Sequence, residues 1–311
     1  MKKALVTGGA GFIGQNLCQR LLADGFFVIA VDNLITSTKI GINQLKKDKN
    51  FIFLNKDIVK GIPTQLNKKK IDVIFHLACP TGVENLEKLG AEMLLTSSLG
   101  TKNVLDFAKK NKSILVFSSS SEVYGNPKVF PQKEEYNGDV NPIGYRSTYE
   151  EGKRFAESLV AFYTRKYKVE GMIVRIFNTY GPGMNKADSR VIPRFMNLCL
   201  QNKDLTVEGK GIQTRTFCYV DDLVEGLILV SKKGKRGEVY NLGNNQEVKI
   251  IDLAKKVLIA TNSPKKVEFI NRPDHDHDRR LPDLMLIKKL GWKAKVDLDE
   301  GLRRSAKWYG F

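Results

Sequence analysis

Thr7-Gly8-Gly9-Ala10-Gly11-Phe12-Ile13-Gly14 lies between the apolar run Ala4-Leu5-Val6 and an amphipathic segment ending near Ala23. Its glycines therefore fall between a strand and a helix. Glycines at 8, 11 and 14 allow a tight turn, close approach of backbone to a pyrophosphate, and close packing of the helix whose positive N-terminus faces the phosphates. A second apolar run, Phe26 to Val31, ends in Asp32, eighteen positions after Gly14. A carboxylate there accepts hydrogen bonds from both ribose hydroxyls of an adenosine and repels a 2′-phosphate, which selects NAD.

Working outward, apolar runs at Phe51-Ile52-Phe53-Leu54, Val73-Ile74-Phe75-His76-Leu77, Ile114-Leu115-Val116-Phe117 and Met172-Ile173-Val174-Arg175-Ile176 recur between helical patterns. This βα alternation predicts an α/β fold with a doubly wound parallel sheet. Beyond Ile176 the alternation weakens at Tyr180-Gly181-Pro182-Gly183, where a smaller mixed α/β domain is expected to begin. The acid-led segment Val220-Asp221-Asp222-Leu223 predicts a helix that returns to the flank of the sheet.

The 311 residues can bury a full core, and no apolar run approaches the twenty residues of a membrane span. Cys18, Cys79, Cys199 and Cys218 have no CxxC spacing and read as reduced thiols, so the simplest placement is the cytoplasm. Net charge is +17, but the lysines are spread in short runs such as Lys68-Lys69-Lys70, which reads as a solvated surface rather than a nucleic-acid stripe.

Tyr149 and Lys153 are four apart in a helix-compatible stretch, so both side chains leave one face. That suits a general acid/base, because an ammonium beside a tyrosine draws its pKa down from near 10. Upstream, the run Phe117-Ser118-Ser119-Ser120-Ser121-Glu122-Val123-Tyr124-Gly125 ends a strand in hydroxyls and one acid. In a parallel sheet such strand ends border the cofactor crevice.

From Lys3 to about Tyr309 the chain resembles the extended short-chain dehydrogenase/reductase superfamily, whose members act on nucleotide sugars. The pattern is nearest to its UDP-glucuronate decarboxylase branch, through His76-Leu77-Ala78-Cys79-Pro80, Ser121-Glu122-Val123-Tyr124-Gly125, Glu151-Gly152-Lys153-Arg154, Arg175 to Pro182, Gln213-Thr214-Arg215, Asp222 to Leu227 and Leu290-Gly291-Trp292. The resemblance implies transient oxidation at sugar carbon 4 by a tightly held NAD, with Ser120, Glu122, Tyr149 and Lys153 catalytic. It implies NAD contacts at Gly8, Gly11, Phe12, Ile13, Gly14, Asp32, Asn33, Asp57, Ile58, Leu77, Ala78, Tyr149 and Lys153. It also implies that Asn178, Arg190, Arg215 and Arg280 bind a nucleotide-diphosphate sugar. Residues 1–177, with 214–260 partly crossing back, would hold NAD, and 178–213 with 261–311 the sugar. Decarboxylation of UDP-glucuronate to UDP-xylose is the expected reaction, and helices around 93–109 and 149–167 would form a homodimer interface.

Departures from the branch keep alternatives open. Ser121 replaces the aspartate of the dehydratases, while Glu122 is a residue that simple 4-epimerases usually lack. Thr81 to Leu86 is unlike the usual loop beside the sugar, Glu208 replaces an aromatic near the nucleobase, Ser97 replaces an asparagine and Gly183 an arginine. A 4-epimerase on another sugar thus remains open, as does a non-catalytic dinucleotide sensor or RNA-binding protein. His76 reads as a packing residue rather than a base. The run Asp274-His275-Asp276-His277-Asp278 lacks the helical spacing of a metal site, and no metal is expected.

Overall fold

The computed structural model describes residues 1–272 and 279–311. Its strands are β1 (Lys3–Thr7), β2 (Phe27–Asp32), β3 (Phe51–Asn55), β4 (Val73–His76), β5 (Ile114–Ser120), β6 (Glu170–Ile176), β7 (Thr179–Tyr180), β8 (Leu205–Glu208), β9 (Thr214–Thr216), β10 (Cys218–Tyr219), β11 (Val239–Leu242), β12 (Glu247–Lys249) and β13 (Val267–Ile270). The helices are α1 (Phe12–Ala23), α2 (Ile40–Leu45), α3 (Asn85–Lys88), α4 (Gly90–Leu95), α5 (Thr101–Asn111), α6 (Ser147–Tyr167), α7 (Val191–Leu200), α8 (Val220–Lys233), α9 (Ile250–Ala260), α10 (Met285–Lys289) and α11 (Leu298–Tyr309).

Seven strands form one sheet in the order β11-β6-β5-β4-β1-β2-β3, every neighbouring pair parallel. Alternation along the strands splits the core into two layers. Ala4, Val6, Val28, Ala30 and Val116 pack with Leu17, Cys18 and Leu21 of α1 and Leu223, Val224 and Leu227 of α8. Leu5, Ile29, Val31, Ile74, Leu115 and Phe117 pack on the opposite side with Val104, Leu105 and Ala108 of α5 and Ala156, Val160 and Tyr163 of α6. Both faces are covered, which is why these strands read as continuous apolar runs.

The chain builds the sheet outward from β1 in one direction through β2 and β3, then in the other through β4, β5 and β6. The order reverses between β1 and β4, and the crevice at their C-terminal ends is where a ligand binds in such sheets. The expected return of the chain is seen in α8, which packs against α1, β5 and β6, and in β11, which adds to β6. Outside the sheet, β8 pairs with β13, β9 with β12, and α9 packs against α7 and β8, forming the smaller lobe.

Candidate active site

The glycine turn is closed by Gly8, whose N–H donates to the Val31 carbonyl oxygen at 2.8 Å. Gly8 has a φ of +72°, and a Cβ there would lie 2.8 Å from the Ala78 nitrogen. At Gly14 a Cβ would lie 2.1 Å from the Gly8 oxygen, so helix and turn touch only because both lack side chains. Helix α1 begins without a side-chain cap and without an acidic residue in its first turn, leaving its N-terminal amides to an anion. Asp32 braces the same turn. Its carboxylate accepts from the N–H of Ala10 (3.0 Å) and Leu34 (2.8 Å) and from the Ser37 hydroxyl (2.9 Å).

A cavity of 1480 Å³ runs from this turn across the ends of β1, β4 and β5. It exceeds the several hundred Å³ typical for one small ligand, which suits a dinucleotide and a second molecule together. Every residue expected at a site lines it: Gly8, Gly11, Phe12, Ile13, Gly14, Asp32, Asn33, Asp57, Ile58, Leu77 and Ala78; Ser120, Glu122, Tyr149 and Lys153; and Asn178, Arg190, Arg215 and Arg280. The side-chain-free cradle, the open helix terminus and the acid at Asp32 fit NAD.

Beside this cavity, β5 ends and α6 begins. Ser120 Oγ accepts the Glu122 N–H at 3.2 Å, which caps the short turn Ser121–Tyr124 and leaves its O–H to hydrogen-bond the phenol of Tyr149. Lys153, 3% exposed, donates through Nζ to the Ser118 carbonyl oxygen at 2.8 Å, and Nζ lies 5.8 Å from the centre of the Tyr149 ring. Burial lowers the lysine's pKa, opposed by the Glu157 carboxylate. Contrary to the expectation from the sequence, the tyrosine's pKa is raised. Burial does most of this, with Cys79 and Glu122 adding to it and Ser120 and Arg190 working against it. In the chain alone the phenol stays protonated, because the lysine's ammonium is turned to a carbonyl and desolvation of the phenolate dominates.

The arginines are placed unequally. Arg190 is gripped by Asp188 two residues earlier, at 2.9 Å from Nε, and neighbouring Ser189 donates to Glu84 of the loop after Pro80. Arg215, on β9, donates to the Thr214 carbonyl oxygen at 2.9 Å. Arg280 is 3% exposed, with its NH1 3.0 Å from a Glu122 oxygen. The strap bearing it is tied down by Gln132, whose N–H donates to the Leu281 oxygen at 2.7 Å.

His76 is the packing residue it was expected to be. Its Nδ1 lies 2.7 Å from the Thr7 hydroxyl and its Nε2 3.0 Å from that of Thr101, and burial drives its pKa to about 3. Ser97 is buried behind Gly152 with its Oγ 3.7 Å from the Cys79 sulfur. Glu208 pairs with Arg194 at 2.7 Å on the cavity wall. The Asp274 to Asp278 run lies outside the described residues; among the described residues no His/Cys/Asp/Glu group could hold a metal.

Reading the sequence alone missed Arg146, which hydrogen-bonds both Glu122 and Glu150. Its four-residue spacing from Glu150 at the start of a helix was the available signal. Also missed were Gln15 and Asn16, which donate to the Gly183 (2.8 Å) and Pro182 (3.0 Å) oxygens and tie α1 to the segment after β7. No local spacing announces a contact across more than 160 residues.

Fold and site together define an NAD-dependent enzyme of the short-chain dehydrogenase/reductase type. The chain belongs to the NAD dependent epimerase/dehydratase family, whose profile matches residues 4–243. It is 40% identical over 309 residues to UDP-glucuronic acid decarboxylase 1 of Xenopus tropicalis, covering 99% of this chain and 72% of the relative. UDP-glucuronic acid decarboxylase 4 of Arabidopsis thaliana is 42% identical over 301 residues, covering 96% and 67%. Among solved structures, UDP-glucuronic acid 4-epimerase from Bacillus cereus, in complex with UDP-glucuronic acid and NAD, superposes with a TM-score of 0.88 at 27% identity, covering 99% of this chain and 98% of that one.

Proposed function

We propose that this enzyme decarboxylates UDP-glucuronate to UDP-xylose. The observation that carries the reading is the 40% identity to a UDP-glucuronic acid decarboxylase along 99% of the chain. The cavity supports it by gathering Ser120, Glu122, Tyr149 and Lys153 beside a cradle for the dinucleotide.

NAD, when bound, supplies the reversible oxidation of sugar carbon 4 that sets the carboxylate on carbon 5 β to a ketone and lets carbon dioxide leave. Gly8, Gly11, Gly14 and Asp32 hold its phosphates and adenosine ribose, with Asn33, Asp57, Ile58, Leu77 and Ala78 along the wall. Tyr149, once it has given its own proton to solvent, takes the carbon-4 hydroxyl proton at its phenolate oxygen, Ser120 orients that hydroxyl, and the Lys153 ammonium, 5.8 Å from the ring centre, favours the phenolate. Glu122 places a negative charge near carbon 5. Arg190 and Arg215, with Asn178, bind the diphosphate, since guanidinium forks match phosphate oxygens. Residues 1–177, with α8 and β11 returning from 214–260, form the NAD lobe; 178–213 and 261–311 form the nucleotide-sugar lobe.

The chain acts as a homodimer. Leu94, Leu95, Leu99, Phe155 and Phe162 are 42–52% exposed on α4, the turn after it, and α6, which is apolar area that a second copy would cover. Four free thiols and the lack, among the described residues, of any helix long and apolar enough to cross a membrane favour the cytoplasm.

Incubation of the NAD-loaded enzyme with UDP-glucuronate should give a product lighter by about 44 mass units, one carbon dioxide. A second reading, 4-epimerisation, is favoured by the match to the Bacillus cereus epimerase. A product of unchanged mass with altered ring couplings would establish it and remove the first.

A further inference from the structure

Glu122 is held from two directions. Arg146, at the N-terminus of α6, reaches one carboxylate oxygen through both Nε (3.2 Å) and NH2. Arg280, on the strap tied to Gln132, reaches the other oxygen at 3.0 Å, and it also donates to Ser121 Oγ and the Gly125 carbonyl oxygen, both at 3.3 Å. The Nε of Arg146 also bridges to Glu150 at 3.3 Å. The four side chains carry two charges of each sign, and all four are at most 20% exposed.

We propose that Arg146 is a positioning residue for the reaction: with Arg280 it clamps the Glu122 carboxylate by one oxygen each, so that Glu122 serves as a fixed negative charge rather than a proton carrier. This rests on the decarboxylase reading and deepens it. A carboxylate whose two oxygens each accept from a guanidinium loses both contacts' strength on protonation, so ionisation and orientation are set together. Among the described residues, the groups facing Glu122 include Arg146, Tyr149 and Glu150 from α6, and Arg280 with Ser121 from the other side. Glu150 sits at 5% exposure with its pKa raised by burial and by Glu122, and Arg146 and Arg280 both act against that rise, Arg146 being the one that hydrogen-bonds both carboxylates. Because Arg146 also precedes Tyr149 by three residues, the same clamp fixes the first turn of the helix that presents the phenol.

The test uses the full-length, NAD-loaded enzyme with carbon-13 in its glutamate carboxyl groups, followed by NMR through a pH titration, with Glu122→Gln identifying the signal. In Arg146→Gln the Glu122 signal is expected to titrate about one pH unit higher than in the wild type. On the nucleotide sugar that the wild type consumes, kcat should fall about tenfold or more with KM nearly unchanged, and Arg146→Lys should recover part of it. Lys keeps a cation but not the fork, so should Arg146→Gln fail to fold, Arg146→Lys should show the same displacement, smaller. A Glu122 titration identical to wild type in the folded variant overturns the proposal, as does a kcat loss that Lys does not relieve. If the wild type leaves UDP-glucuronate intact, the decarboxylase reading fails while the titration still decides the clamp.

Discussion

Lys153 Nζ donates to the Ser118 carbonyl oxygen at 2.8 Å, so a side chain of α6 grips the strand that ends in Ser120. The bond fixes the distance between the strand-end hydroxyl and the phenol one helical turn away. Lys153→Met should lower kcat by about 10²–10⁴-fold, the usual range for acid–base groups. Steady-state turnover with the wild-type melting temperature as control measures it; a variant within a few-fold of wild type would exclude the lysine from the reaction.

Gly14→Ala should cost stability and cofactor together. The new methyl would fall 2.1 Å from the Gly8 oxygen, so the turn must open. Overpacking of this kind costs about 1–3 kcal/mol. Denaturant unfolding and NAD titration read the two effects, and an unchanged NAD affinity would show that the turn is not the cradle.

Glu157 accepts from Arg175 Nε at 2.9 Å and NH2 at 2.8 Å and from the Ser119 hydroxyl, and both charged side chains are nearly buried. Glu157→Gln removes the carboxylate that Arg175 Nε and NH2 both reach. Breaking such a pair costs about 3 kcal/mol or more. A loss below about 1 kcal/mol by urea unfolding would mean that water reaches the pair.

His76 gives a pH dependence of defined sign. Folded, its pKa is pulled to about 3 by burial and by Lys153. An unfolded imidazole titrates near 6.5, so between these values the unfolded chain binds more protons. The stability it contributes is complete above about pH 6.5 and is lost as pH falls toward about 3. From pH 7 to pH 5 the wild type should lose about 2 kcal/mol more than His76→Gln. Equal losses in the two proteins would mean that the ring is charged when folded.

The doubly wound sheet was readable because its inner strands are buried on both faces, which turns Ala4 to Val6, Phe75 and Val116 into uninterrupted apolar runs. The cavity-lining residues were readable because most of them cluster at strand ends. What escaped was the pairing of charges. Arg280 reads as one more arginine for a phosphate until the strap held by Gln132 brings it to Glu122. The phenol's raised pKa was equally hidden, since spacing shows that Lys153 is near but not that its ammonium faces a carbonyl.

The seventh strand of the sheet has a consequence in time. β11 completes the edge beside β6, yet about sixty residues, from the smaller lobe and from α8, are made between Ile176 and Val239. At about 5–20 residues per second the ribosome needs roughly 3–12 s for that stretch. Throughout it the nascent chain carries an unpaired β edge of seven residues, Glu170–Ile176, with its amides and carbonyls open to any passing strand. Synthesis rate across 177–238 should therefore govern how much of the protein escapes aggregation, although none of those residues lies in the sheet they leave exposed.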